Sequence, residues 1–387
     1  MPPRTTAKAG RQPQAGATQG PAICFLTGTL NVFGGAERMT ATVANELARR
    51  GHRIHILSLS DPRSCFPLDP AVRHEALFDE CPSFRTHFLH TVAGIRRYVR
   101  QHGITLLVEV DPLLTLFTLP ACLGLGVRRI AWEHCNLDQD LGLPLRRLAR
   151  RLSARTCRRI VVLTELDREK WVRSLRCSNV EVIPNSLPIP LPAQPAARTS
   201  RTAIAVGRLT DVKGFDVLLQ AWVPIATAFP DWTLRIVGSG ELLASLTQLR
   251  DRLGLRECVR LEPARSDIES VYRDAAMLCL SSRYEGFSLV LVEAMAYGLP
   301  IVATNCETGV RALLTHGENA RLSPVDDPAA LAREIAAVIA SPELAARLAD
   351  AGRRNVHKFA PGEIAMRWEQ LLSRISGETG TKEIGVA

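Results

Sequence analysis

The sequence predicts an α/β protein of two doubly wound domains facing each other across a cleft. Three observations predict it. The chain has 387 residues, more than one ordinary core holds and suited to two domains of roughly 150–200 residues each. Short apolar, β-rich runs alternate with helical patterns, the mark of parallel α/β units. Near the middle a proline-rich stretch interrupts the alternation, which then starts again.

Taken in order, residues 1–21 are poor in apolar side chains and hold no run that could form a signal-peptide core, so a disordered tail is expected. The first domain, 22–186, offers strands at 22–27, 54–59, 104–110, 128–132 and 159–163. Between the first two lies a helix. Val43 and Leu47 share one of its faces, arginines gather at its C-terminal end, and Gly51 stops it. Residues 187–201 form the linker. The second domain, 202–358, offers strands at 202–207, 233–238, 258–262, 276–280 and 300–304, with a helix from about Gly214. Residues 359–387 supply a terminal helix and a tail. In such sheets ligands bind beyond the carboxyl ends of the strands, so the crevice between the domains is the expected site.

Composition narrows the class. Apolar residues make up 46% and charged ones 22%, the balance of a globular protein, and no stretch reaches the ~18–20 apolar residues of a membrane span. The ten cysteines are scattered singly, with no C-x-x-C pair, which argues for reduced thiols in a cytosolic protein and against a zinc site. The net charge of +9 is uneven: residues 1–190 carry 26 Lys+Arg against 16 Asp+Glu, and residues 191–387 carry 22 against 23. All the excess positive charge lies in the first half.

The segment 281–304 is the richest in chemistry. A strand ends at Leu280, a loop carries Glu285-Gly286-Phe287, and a helix should begin near Ser288, a good N-cap residue. Gly286 allows backbone amides close to a ligand, and the helix N-terminus favours an anion. Glu285 before the helix and Glu293 within it suit a hydroxyl-rich ligand, because a carboxylate accepts from neighbouring OH groups. Read from the residues alone, an ordinary strand–loop–helix with surface glutamates explains the segment equally well.

The run E-G-F-S-L-V-L-V-E-A-M-A-Y-G-L-P resembles the motif of glycosyltransferase family 4, retaining enzymes with the GT-B fold of two Rossmann-like domains. The resemblance implies that Glu285 faces the donor sugar, that Glu293 binds the nucleotide ribose, and that the amides around Phe287 and Ser288 lie near the diphosphate. The stretch VGRLTDVKG is similar to a second family segment and implies that Arg208 and Lys213 hold the donor diphosphate. With no metal and no cofactor expected, two cations must neutralise the charge developing on the leaving nucleotide. Gly34-Gly35 resembles the glycine loop facing the donor phosphates. His134, at the end of the strand 128–132, resembles the family histidine beside the reacting sugar. The catalytic set implied is therefore Glu285, His134, Arg208 and Lys213. The helix within 359–375 resembles the one that crosses back to the first domain.

The activity this implies is retaining transfer of a hexosyl or N-acetylhexosaminyl unit from a nucleoside-diphosphate sugar, UDP favoured over GDP, to a saccharide acceptor. A lipid-linked acceptor of cell-surface polysaccharide or lipopolysaccharide synthesis suits the family. A sugar-nucleotide epimerase of the same shape and a non-catalytic sugar-nucleotide-binding protein are the alternatives. Asp138-Gln139-Asp140 has the D-x-D spacing of a metal–diphosphate site, which this pattern does not need. VGSGEL (237–242) lacks the third glycine of a dinucleotide fingerprint.

One segment stands apart. Seven arginines fall in the fourteen positions from Arg146 to Arg159, while Leu145, Leu148 and Leu152 recur at helical spacing. The expectation is an amphipathic helix packed through its leucines. Arg146, Arg147, Arg150 and Arg151 would then face an anionic membrane surface, making the protein cytoplasmic and peripheral on the inner face of the membrane. The competing reading is a solvated face. No aromatic residues interleave the run, so nucleic acid is not expected as a partner.

Overall fold

The computed structural model describes residues 20–140, 142–265 and 267–378, with the side chain of Arg85 left out. Residues 1–19 of the expected tail, and 379–387, lie outside the described residues. Two parallel sheets account for the fold. The first contains β1 (Ala22–Thr27), β2 (Arg53–Ser60), β3 (Arg73–Phe78), β4 (Ile104–Glu109), β5 (Arg128–Trp132), β6 (Arg159–Val162) and β7 (Val180–Val182), in the spatial order 3-2-1-4-5-6-7. The second contains β8 (Thr202–Val206), β9 (Thr233–Val237), β10 (Val259–Glu262), β11 (Met277–Leu280), β12 (Ile301–Thr304) and β13 (Arg321–Ser323), in the order 10-9-8-11-12-13. Strand order reverses between β1 and β4 and again between β8 and β11, which creates a crevice at the carboxyl ends of each sheet.

Interior strands such as β1, β11 and β12 are buried along their whole length, as sheets covered by helices on both faces require. The strands β3, β7 and β13, absent from the sequence expectation, are all sheet edges. Their residues are mostly half-buried, so charged residues enter them and the apolar signal fades: RHEALF, VEV and RLS.

The helix Gly35–Arg49 buries Met39, Val43 and Leu47. The helix Pro361–Gly377 closes the chain on the first domain: Trp368 packs edge-on against Phe25 and Trp132, with ring centroids 6.2 and 4.8 Å away. Arg50 and His52 both reach Glu369, at 2.8 and 2.9 Å. The linker is anchored rather than loose. The Leu187 amide donates to the Phe359 carbonyl at 2.7 Å, and Arg353 donates to the Pro192 carbonyl at 2.7 Å.

The basic helix, Pro144–Thr156, is turned the opposite way from the expectation. Its inward face is Arg146, Ala149, Arg150, Ser153 and Ala154, while Leu145 and Leu148 stand in solvent. Arg150 donates to Glu133 at 2.6 Å and to the carbonyls of Leu137 and Asn136 at 2.7 and 3.0 Å. Arg146 donates to Asp111 at 2.7 Å. The membrane role of Arg146 and Arg150 is therefore corrected: both are buried and neutralised by acids from the ends of β4 and β5. The physical reason is that Glu133 and Asp111 stand at strand ends facing this helix, and a buried carboxylate demands a cation more strongly than the core demands two leucines. Arg147 and Arg151 are exposed, with Arg147 donating to Asp140 at 2.7 Å.

Candidate functional site

The site is assembled from loops at the carboxyl ends of β5, β8 and β11 together with the start of the helix Gly35–Arg49. After β8 the chain forms a single 3-10 turn, Asp211–Lys213, ended by Gly214 at φ 59. A side chain at Gly214 would strike the Ser281 carbonyl, its Cβ only 2.2 Å away. Only glycine lets this turn lie against the loop after β11, and the Ser281 hydroxyl secures it by donating to the Lys213 carbonyl at 2.8 Å. The consequence is an ion pair: Lys213 Nζ lies 2.7 Å from Glu285 Oε1, which also accepts from Ser282 at 2.7 Å. The Glu285 backbone is fixed too, its carbonyl accepting from Thr308 and Gly309 at 3.0 and 2.9 Å.

The two domains meet at the same loop. A Cβ at Gly286 would lie 2.6 Å from the His134 carbonyl, so this glycine is needed where β5's loop presses on β11's. His134 packs against Trp132 with ring centroids 4.3 Å apart and planes tilted by 44°, and its Nε2 has no hydrogen-bond partner among the described residues. Burial pushes its pKa down to about 3, so the imidazole is neutral at physiological pH. The ring is neutral, and its Nε2 is shielded from solvent as well as unpartnered.

Glu293 is held differently from the expectation of a free ribose acceptor. Its Oε1 accepts from Arg38, of the helix Gly35–Arg49, at 2.8 Å, and its Oε2 accepts from Tyr272 at 2.5 Å. Burial raises its pKa, with Arg38 opposing the rise. The Glu37 carboxylate lies over Gly34 at the start of the same helix, and burial raises its pKa against the attraction of Arg208. Arg208, on the loop after β8, is exposed to solvent. Gly35 abuts Leu289, the first residue of the helix Leu289–Ala296.

Two residues of the motif contribute less through their side chains than the resemblance implies. Phe287 turns its ring into the core against Phe359, at 5.6 Å, leaving only its backbone for a ligand. Ser288 occupies the N-cap position but makes no capping bond, and its hydroxyl is buried with no partner among the described residues. Asp138 and Asp140 are each paired with a cation, Lys170 and Arg147. Among the described residues no group of three acidic, histidine or cysteine side chains converges as metal ligands do. A cavity of about 840 Å³ under the linker, lined by Pro192, Arg198, Arg273 and Tyr297, contains none of the residues above.

Comparison with known proteins follows this division of the chain. Residues 33–189 match the model described as Glycosyltransferase Family 4, and residues 192–355 match Glycosyl transferases group 1. A glycosyltransferase of Haemophilus influenzae is 32% identical, over 90% of this chain and 99% of its own length. The chain is a family-4 glycosyltransferase.

The enzyme is also 25% identical to an amylovoran biosynthesis glycosyltransferase of Erwinia amylovora, over 91% of this chain and 99% of that one. At 23% it resembles a Campylobacter jejuni N-acetyl-D-galactosaminyltransferase named for an undecaprenol-diphosphate-linked acceptor, over 91% of this chain and 98% of the relative. Among solved structures, Anabaena HepE in complex with UDP superposes with a TM-score of 0.76 at 21% identity, covering 91% of this chain and all of that one. A sucrose-phosphate synthase from Thermosynechococcus elongatus gives 0.79 at 18%, covering 92% of this chain and 100% of the other. These likenesses establish the GT-B fold of this glycosyltransferase.

Arg38, Tyr272 and Glu37 were not singled out by sequence reasoning. A signal for Arg38 was present: an arginine in the first turn of a helix opposes the helix dipole, so it needs a partner elsewhere. Tyr272 carried no such mark.

Proposed function

We propose that this glycosyltransferase transfers a hexosyl or N-acetylhexosaminyl unit, with retention of configuration, from a UDP-sugar to a saccharide acceptor carried on a lipid. The observation that carries the reading is the Lys213–Glu285 pair at 2.7 Å, on a loop whose Gly286 packs against the His134 carbonyl of the opposite domain. In the proposed roles Lys213 and Arg208 stabilise charge on the departing diphosphate, while Glu285 and His134 orient the sugar by accepting from and donating to its hydroxyls. Gly35 and the backbone from Gly286 to Ser288 present amides to the phosphates, Gly34 shapes the loop by donating its own amide to the Val32 carbonyl at 2.9 Å, and Glu293 takes the ribose. The bond from the anomeric carbon to the diphosphate oxygen breaks. The acceptor oxygen attacks from the same face, and its proton passes to the leaving diphosphate.

The UDP preference is supported by the fold likeness to a UDP complex, and the lipid-linked acceptor by the Campylobacter relative. Arg147 and Arg151, beside the exposed leucines at 145 and 148, form the surface proposed to meet anionic lipid headgroups. The test is a panel of UDP-, GDP- and ADP-sugars offered with and without acceptor extracts, with products followed by NMR of the anomeric proton. Lys213→Ala is expected to lower turnover by about 10²–10³-fold. An epimerised sugar formed from donor alone would replace this reading with the epimerase, and full activity in both Lys213→Ala and Glu285→Gln would remove the catalytic assignment.

A further inference from the structure

We infer that Arg38 covers the Glu293 carboxylate and must yield it when the donor ribose binds. The inference rests on the proposal that Glu293 lies at the nucleoside end of the donor. Both oxygens of Glu293 are already engaged, by Arg38 at 2.8 Å and Tyr272 at 2.5 Å, and its side chain is only 3% exposed. Lone pairs remain on both oxygens, but at 3% exposure a sugar hydroxyl reaches them only when a partner on the solvent side moves. The two partners are not equivalent. Tyr272 is fully buried and stacks on Tyr297 with ring centroids 5.6 Å apart, so it has nowhere to go. Arg38 is 25% exposed on its side chain and comes from the opposite domain, so it closes the solvent side of the carboxylate.

The pair also bridges the crevice, since Arg38 belongs to the helix after β1 and Glu293 to the helix after β11. A second bridge, Lys170 to Glu307 at 2.7 Å, lies on the surface and does not involve Glu293. The buried bridge thus competes directly with the donor, whereas the surface bridge does not. A ligand that must displace an intramolecular partner binds with an apparent affinity reduced by the fraction of protein in the uncovered state.

The experiment compares UDP, uridine and inorganic pyrophosphate binding by calorimetry in wild type, Arg38→Ala and Arg38→Lys. Scattering measurements without ligand accompany them. Arg38→Ala is expected to bind UDP and uridine about fivefold or more tightly, with pyrophosphate unchanged. Arg38→Lys is expected to return towards wild type, and the ligand-free Arg38→Ala protein should be more extended in solution. Weaker UDP and pyrophosphate binding in Arg38→Ala would mean that Arg38 grips the diphosphate, and would overturn the inference; unchanged binding of all three would overturn it as well. If wild type does not bind UDP, the UDP-donor reading fails instead. The scattering arm then decides the bridge alone: an unextended Arg38→Ala protein rejects it.

Discussion

The loop after β11 and the helix Pro144–Thr156 both place charge beside the crevice, and they use it in opposite ways. In the loop, Glu285 and Lys213 pair at the rim, with Lys213 about a fifth exposed and able to exchange its partner for a ligand. In the helix, Arg150 and Arg146 are sunk against Glu133 and Asp111 and hold β4 and β5 in place. The Arg150–Glu133 pair, buried on both sides, contributes little when intact but is costly to break, whereas Asp111 beside Arg146 keeps over a third of its side chain in water. The lesson is that charge number and spacing do not reveal whether a cation is functional; the depth of its partner does.

The largest effect should come from breaking that comparison at Arg150. Arg150→Ala is expected to lose about 3 kcal/mol of stability in urea unfolding, since buried Glu133 would lose its closest cation and keep only Arg146, at 3.7 Å. The double substitution Arg147→Glu, Arg151→Glu should change stability by no more than about 1 kcal/mol and instead weaken binding to anionic vesicles. A stable Arg150→Ala protein with lost vesicle binding would reverse the assignment of the two faces.

Gly286→Ala sharpens the other side. Its methyl group would push against the His134 carbonyl, so turnover is expected to fall about 10–100-fold by misplacing two loops, with a smaller change in unfolding midpoint than at Arg150. Equal turnover would show that the loops need not touch during the reaction. The smallest effect concerns pH. His134 stays neutral in the folded enzyme down to about pH 3, while in the unfolded chain it takes up a proton below about 6.5. Its contribution is therefore present above pH 6.5 and lost as pH falls towards 3. The stability advantage of wild type over His134→Gln should shrink across that window, and a constant difference would mean that the ring protonates freely in the fold.

How much of this was legible in the sequence depended on how local the cause was. The turn at Lys213-Gly214 and the loop at Glu285-Gly286 are short-range devices whose residues stand together in the chain, and both were readable. The edge strands β3, β7 and β13 were missed because a half-covered strand need not be apolar. The basic helix was read inside out because leucines and arginines recur at interleaved helical spacings. The small residues Ala149 and Ser153, between the arginines, marked the packed face. Arg38 escaped because its partner lies 255 residues away, beyond any spacing rule.

The return of the helix Pro361–Gly377 to the first domain has a consequence for biosynthesis. Trp368, wedged beside Phe25 and Trp132, belongs to the core of the first sheet yet is translated after the whole second domain. Domains generally fold in the order in which they leave the ribosome. Here the first to emerge must wait with an unfilled seat among its aromatic side chains, and the last turns of the polypeptide fill it.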